Sequence, residues 1–184
     1  MAMRVIIVII SVLLCSVMNA QEWNVGAKGG INISSASLKN SDTDVGTVIG
    51  LHIGGYANTL IRPQVALQPE VMFSLQGWEN GDNYNVSYLQ VPVLLKYFLV
   101  DQFNVHAGPQ VGFLLGEEDV LEGRIKSTDF SFALGGEFSI NEQLGAVIRY
   151  NWGLKNFRED LESSGDIKFR SRVLQISASY KLNR

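Results

Sequence analysis

Apolar and polar side chains alternate with a period of two along most of this chain after residue 20. From Val65 to Gln76 every odd-numbered side chain is apolar, whereas the even-numbered positions are mostly polar. Successive side chains of a β-strand point to opposite faces, so the period predicts strands with one apolar and one polar face. The pattern recurs eight times, and it constrains the fold more than any other feature of the sequence.

The pattern predicts an all-β fold of eight strands in a single domain, residues 21–184. The strands are predicted at Trp23–Ile33, Thr47–Ala57, Gln64–Gln76, Val86–Leu99, Phe103–Leu115, Thr128–Ile140, Gln143–Gly153 and Arg170–Leu182. Long polar connections alternate with short ones. The long ones are Ser34–Gly46, Gly77–Asn85, Gly116–Ser127 and Leu154–Phe169; the short ones are Asn58–Pro63, Val100–Gln102 and Asn141–Glu142. Membrane barrels have short periplasmic turns and longer external loops, so we predict an antiparallel up-and-down transmembrane barrel.

The two faces of the predicted strands differ in chemistry. Alternate positions of a strand form two sets, which we call its two parities. One parity carries no charge and no amide, and its aromatic residues cluster near the strand ends, as in the two aromatic girdles of membrane barrels. A soluble barrel with an apolar core, such as a lipocalin-like binder, would show the same alternation inside out. The alternation alone leaves both alternatives open.

The first 20 residues are typical of a cleaved secretory signal peptide. Arg4 supplies the positive start, Val5–Leu14 the apolar stretch and Ala20 a small residue for cleavage. The apolar stretch is shorter than the roughly 20 residues that span a bilayer as a helix. The only cysteine, Cys15, lies in this segment, and a lipoprotein signal ending there is disfavoured by the bulky Leu14. We therefore predict export to the outer membrane of a Gram-negative bacterium.

Charge and cysteine content exclude several classes of function. Without its first 20 residues the chain carries 14 Lys and Arg against 18 acids, and it has no basic run, so we expect no nucleic-acid partner. It then has no cysteine for a disulfide, a thiolate metal site or a nucleophile.

Charged and histidine side chains on the polar parity predict an interior network. An eight-stranded barrel is only wide enough for side chains to fill it, and buried charges must be paired. Glu137 and Arg149 are predicted on adjacent strands and should approach each other, while Lys96 and His106 face each other across a short turn. A salt-bridged plug is favoured over a path for ions. The residues of this interior network are Lys28, His52, Glu70, Lys96, His106, Glu137, Arg149 and Lys181.

The two histidines do not form a recognisable catalytic or metal motif. No serine lies two residues from His52 or His106, no Gly-x-Ser-x-Gly elbow follows the signal, and no carboxylate has ligand spacing. We predict no catalytic residue, no metal site and no cofactor. A lipid A-modifying enzyme remains as an alternative.

The external rim is the expected place for partners. Arg158, Arg170 and Arg172 fall near it, where they could pair with the phosphates of lipopolysaccharide in the outer-membrane lipid. The loops Leu154–Phe169 and Ser34–Gly46 are candidates for a protein partner. Paired glycines within strands, such as Gly29–Gly30, are expected at tight bends.

Five motifs spread along the chain carry a family resemblance. They are GAKGGIN from Gly26, YLQVPVLLKY from Tyr88, GPQVGF from Gly108, RYNWGL from Arg149 and LQISASY from Leu174. With them the chain resembles the porin-like outer-membrane β-barrel family common in Bacteroidetes, sometimes described as PorT-like. The resemblance implies a barrel akin to the membrane domains of OmpA and OmpX, and no catalytic residue. One departure is the C-terminus, where Tyr180 or Leu182 must replace the usual terminal aromatic residue.

The expected function is therefore that of a small outer-membrane barrel with a structural or surface-interaction role and a plugged lumen. The alternative is a narrow porin-like channel for ions or small solutes.

Overall fold

A computed structural model describes residues 22–39, 46–80, 82–117, 127–154 and 168–182 of the protein. Within these ranges no helix is long and apolar enough to cross a membrane. The described residues form eight β-strands. They are β1 (Asn24–Lys39), β2 (Gly46–Arg62), β3 (Val65–Asn80), β4 (Asp82–Val100), β5 (Phe103–Glu117), β6 (Thr128–Ser139), β7 (Leu144–Gly153) and β8 (Lys168–Lys181).

The strands form one closed barrel in which each pairs with its neighbours in chain order. All pairings are antiparallel, and β1 closes the ring against β8, from Gly26 opposite Lys181 to Lys39 opposite Lys168. The predicted eight-stranded up-and-down barrel is confirmed.

The two ends of the barrel differ. Three short turns, at Pro63–Gln64, Asp101–Gln102 and residues 140–143, lie at the end where β1 begins and β8 finishes. We call this the turn end and the opposite end the loop end. The turns are short, as the sequence predicts, but two differ from their predicted bounds. β2 continues to Arg62 through an irregularity after Leu60, so the predicted turn Asn58–Pro63 is mostly strand, whereas the predicted turn Asn141–Glu142 extends over residues 140–143.

Several strands extend further at the loop end than the alternation predicts. The β3–β4 ladder continues to Asn80 opposite Asp82, so the predicted loop Gly77–Asn85 is wrong, and β1 continues to Lys39. Beyond the apolar band of the barrel neither face needs to be apolar, so the period-two contrast fades. The backbone ladder does not depend on that contrast, and it continues.

The apolar parity faces outward and the polar parity faces the lumen. On β2, Leu51 and Ile53 are 59% and 66% exposed on the outer surface, whereas on β3 Gln68 and Glu70 are each 1% exposed. A soluble barrel would bury the first pair and expose the second. The structure therefore excludes the apolar-cored, lipocalin-like alternative.

Outward aromatic side chains form a belt near each end of the apolar surface. The belt at the turn end contains Tyr97, Phe103, Phe138 and Tyr180, and the belt at the loop end contains Phe73, Phe113, Phe130 and Trp152. Aromatic girdles at both interfaces are typical of barrels in a membrane.

The paired glycines lie where adjacent strands approach closely. A Cβ atom on Gly30 would lie 2.0 Å from the carbonyl oxygen of Ile176, whereas a Cβ atom on Gly29 would come no closer than 3.5 Å to a neighbouring atom. Gly54 repeats the close approach, at 2.1 Å from the carbonyl oxygen of Val71. These glycines let the wall of a narrow barrel bend sharply, as the sequence predicts.

Candidate functional site: the charged network of the lumen

Seven of the eight predicted network residues are buried in the lumen. They are Lys28, His52, Glu70, Lys96, His106, Glu137 and Arg149. Each comes from a different strand, β1 to β7, because each stands at an inward position of the period-two pattern. The eighth, Lys181, is only half-buried, at the turn end of β8.

Glu70 is the centre of the network, and its side chain has no exposed surface. Lys28 Nζ donates to Glu70 Oε1 at 2.6 Å. Arg149 binds the carboxylate with two parallel hydrogen bonds, at 2.9 Å to Oε2 and 2.8 Å to Oε1. Gln68 Nε2 adds a fourth donor at 2.7 Å from Oε1. Such charge-assisted, bidentate pairing is the arrangement that stabilises a buried carboxylate.

A second ion pair joins Lys96 to Glu137. Ser179 Oγ donates to Glu137 Oε1 at 2.7 Å, and Lys96 Nζ also donates to Gln68 Oε1 at 3.1 Å. Gln68 therefore bridges the two ion pairs, because its amide donates to one carboxylate and accepts from the lysine of the other pair.

The predicted approach of Glu137 to Arg149 is wrong. In the β6–β7 register Arg149 lies opposite Gly135, while Glu137 lies opposite Val147. Since Gly135 offers no side chain, the guanidinium reaches across the lumen to Glu70 on β3. Glu137 instead pairs with Lys96 of β4.

Each histidine has one defined partner. Lys96 and His106 are cross-strand neighbours, as predicted, but His106 Nε2 accepts a hydrogen bond from Arg149 Nε at 3.3 Å. A guanidinium only donates, so the Nε2 atom of His106 is the acceptor in this contact. His52 Nε2 lies 2.7 Å from Ser177 Oγ.

The His52–Ser177 contact is one that sequence reasoning missed. The two residues are 125 positions apart and lie on non-adjacent strands, but both lie opposite Gly30 of β1, which has no side chain to separate them. His52 Nδ1 has no hydrogen-bond partner among the described residues. The pair therefore lacks the third group that orients the base in a catalytic triad.

The part of the lumen nearer the loop end is lined mostly by neutral side chains, although the carboxyl group of Asp129, which sequence reasoning did not single out, also lies there. Asn32 Nδ2 donates to Ser74 Oγ at 2.9 Å, and Gln175 Nε2 donates to Asn32 Oδ1 at 3.0 Å. Apolar residues also point inward here, among them the buried Met72 and Val173. Neutral hydrogen-bonded and apolar layers therefore succeed the ion pairs along the barrel axis.

Two of the three predicted rim arginines lie within the described residues. Arg170 and Arg172 are exposed near the loop end of β8, and Arg172 lies opposite Trp152 in the β7–β8 register. Arg158 falls outside the described residues. Over the described ranges, no group of three or more His, Cys, Asp or Glu side chains could hold a metal ion.

Comparison with known proteins gives the family. The model of the outer membrane protein beta-barrel domain matches residues 19–159, most of the chain. The chain therefore belongs to this family of outer-membrane barrels. Its short turns accordingly lie on the periplasmic side of the outer membrane and its loop end on the external side.

Solved structures share the fold at low sequence identity. Ail, the attachment invasion locus protein of Yersinia pestis, solved in complex with the heparin analogue sucrose octasulfate, is 11% identical with a TM-score of 0.52, covering 88% of this chain and 99% of that chain. Neisserial surface protein A (NspA) is 11% identical with a TM-score of 0.54, covering 87% of this chain and 97% of that chain. A sequence comparison with curated proteins finds no match.

Proposed function

We propose that this outer-membrane barrel has a structural or surface-interaction role and that its own side chains close its lumen. The observation that carries the proposal is the connected network around Glu70, Gln68 and Glu137, which joins side chains from β1, β3, β4, β6, β7 and β8. In a barrel only wide enough for side chains, groups that meet from opposite walls leave no continuous path.

Recording in planar lipid bilayers tests the closed lumen. The purified protein is expected to give no stable openings, because an ion would have to separate buried ion pairs to pass. Arg149→Ala removes the side chain that crosses the lumen, and Arg62→Ala at the exposed last residue of β2 is the matched control. Stable openings of the unmodified protein that change in Arg149→Ala but not in Arg62→Ala would reject the plug in favour of a narrow channel.

We further propose that Arg170 and Arg172 bind the phosphates of lipopolysaccharide. Both side chains are exposed on β8 near the external end, close in register to the aromatic belt residue Trp152, where lipid headgroups lie. Guanidinium groups match phosphate oxygens with paired hydrogen bonds. The double variant Arg170→Ala/Arg172→Ala is expected to bind lipopolysaccharide more weakly, whereas Arg62→Ala at the opposite end is not. Unchanged binding by the double variant would reject this contact.

The proposed role involves no catalysis. The His52–Ser177 pair has no third group among the described residues and is buried in the lumen, away from the outer surface that faces lipid. Deletion of the gene is therefore expected to leave the mass spectrum of lipid A unchanged. A lost or altered lipid A species would instead favour the lipid A-modifying alternative.

The proposal also covers export of the protein and its membership of a narrower family. We propose that residues 1–20 are removed as a signal peptide, so that N-terminal sequencing of the protein from outer membranes begins at Gln21. The five motifs described above support a place among the PorT-like barrels of Bacteroidetes.

A further inference from the structure

Two adjoining cavities open at the periplasmic end of the barrel. The inner one, which we call the funnel, has a volume of about 230 Å³ and leads up to the Lys96–Glu137 ion pair. The outer one, the rim cleft, has a volume of about 550 Å³ and lies between the turns at Asp101–Gln102 and residues 140–143. The two cavities share the lining residues Ser139, Asn141, Glu142, Gln143 and Lys181, so they form one continuous recess.

Amide and hydroxyl groups dominate the polar lining of the funnel. Asn24, Asn58 and Asn104 line it with Ser179, and the ring of Tyr56 contributes an apolar surface. Amides both donate and accept hydrogen bonds, so this lining can recognise a ligand that does the same.

One of these amides has a buried oxygen without a hydrogen-bond donor. Asn104 is only 2% exposed, and its Oδ1 accepts no hydrogen bond from the described residues. A buried acceptor without a donor has lost its hydrogen bonds to water and has gained none in return. A donor group of a molecule inside the funnel would supply such a hydrogen bond.

Charges of both signs are interleaved around the recess. Asp101 and Glu142 line the cleft together with Lys181, and none of the three forms an ion pair with another described residue. A polycation would meet Lys181, and a polyanion would meet Asp101 and Glu142. A neutral ligand encounters neither repulsion and can hydrogen-bond with charges of both signs.

We propose that the funnel and the rim cleft together form a periplasmic binding site for a neutral saccharide. Sugar hydroxyls donate and accept, which suits the amides, the free Asn104 Oδ1 and the flanking charges. The apolar C–H face of a sugar ring can pack on Tyr56 or Phe98, which also lines the funnel. The outer cavity lies within the range of about 300–1,000 Å³ that ligand pockets occupy. The site lies below the lumen network and does not depend on a closed lumen.

Nuclear magnetic resonance titration of the whole protein in detergent micelles tests the site. The probes are a disaccharide of N-acetylglucosamine and the glucose disaccharide maltose. Saturable shifts are expected at the backbone amides of Asn104, Asn141 and Gln143. Preference for the N-acetylated probe would identify cell-wall glycan as the source of the ligand, and equal binding would identify free neutral oligosaccharides; either result supports the site.

Variants separate specific binding from general contact. Asn104→Leu keeps the size of the side chain but removes the acceptor, and it is expected to weaken binding about tenfold, as the loss of one buried hydrogen bond implies. If Asn104→Leu fails to fold, Gln143→Ala serves as the second lining variant, because it lies in an exposed turn that tolerates change. It should also weaken binding. Gln64→Leu makes the same amide-to-leucine change at the turn end but outside the lining. Putrescine and phosphate are titrated as a cationic and an anionic comparison ligand. The proposal is overturned if neither saccharide gives saturable shifts, or if only putrescine or phosphate binds. It is also overturned if the lining variants bind the saccharides as Gln64→Leu does.

Discussion

Glu70 shows at the scale of one residue how a charge can be kept inside a membrane barrel. Its carboxylate has no exposed surface and receives hydrogen bonds from Lys28, Arg149 and Gln68. The desolvation of one anion is offset by two cations, which are themselves desolvated. Each partner therefore depends on the others, and the removal of one leaves an uncompensated charge in the lumen.

Neutralising Glu70 is expected to destabilise the barrel strongly. Glu70→Gln leaves Lys28 and Arg149 buried without their carboxylate, and breaking a buried pair in this way costs about 3–5 kcal/mol. Urea unfolding in detergent micelles measures the loss. Glu22→Gln, an equal change at an exposed position, should leave the unfolding free energy within about 0.5 kcal/mol. A similar midpoint for the two variants would show that the network contributes little to stability.

At the scale of the strands, two adjacent glycines of β1 differ in whether they can be replaced by a larger residue. Gly29 and Gly30 are identical in type and adjacent in β1, but they differ in parity. Only Gly30 faces the close approach to the β8 backbone, where the wall bends. Glycine has the same β-strand propensity at both positions, so the close approach of β8, and not propensity, decides which glycine is required.

The two glycines therefore provide a matched test of curvature. Gly30→Ala would place a Cβ atom 2.0 Å from the carbonyl oxygen of Ile176, so the β1–β8 pairing must shift, at a cost of about 1–3 kcal/mol or more. Gly29→Ala meets nothing closer than 3.5 Å and should fold normally. The fraction of protein that resists SDS until heated reports folding on a gel. Equal heat-modifiable fractions would contradict a strict requirement for glycine at residue 30.

At the scale of the whole molecule, the barrel is turned inside out relative to a soluble protein. Its outer surface is an apolar band between two aromatic belts, and Lys28, Glu70, Lys96, Glu137 and Arg149 are enclosed in the lumen. The position of a residue between the belts thus sets its depth in the membrane.

Depth can be tested along one strand. On β4, Leu89 lies opposite Phe113 of the loop-end belt, and Tyr97 belongs to the turn-end belt. Val93 lies midway between these two outward positions. Leu99 lies beyond Tyr97, outside the band between the belts. Val93→Arg is expected to cost about 2–4 kcal/mol and Leu99→Arg about 0–1 kcal/mol, because the cost of an outward charge falls towards the interface. Unfolding in lipid vesicles gives both values. A larger loss for Leu99→Arg would mean that the membrane covers a different zone of the barrel.

The sequence by itself determined the number of strands and which side chains share one face of each strand. These properties depend on a local period of two, because each side chain points opposite to its neighbour whatever the rest of the chain does. The period places Lys28, Glu70 and Arg149 on one face and the apolar residues on the other, whereas the closed barrel decided that the polar face is the inner one. The same local signal failed at Gly77–Asn85, where the ladder continues without a contrast between the faces.

Only the tertiary structure decided which inward groups meet. Closing the barrel brings opposite walls together, and the stagger of the strands sets the height of each side chain, so neither can be derived from spacing along one strand. Arg149 therefore binds Glu70 across the lumen rather than Glu137 on the next strand, and His52 meets Ser177. The recess at the periplasmic end likewise exists only because separate turns and strand ends converge in the closed barrel.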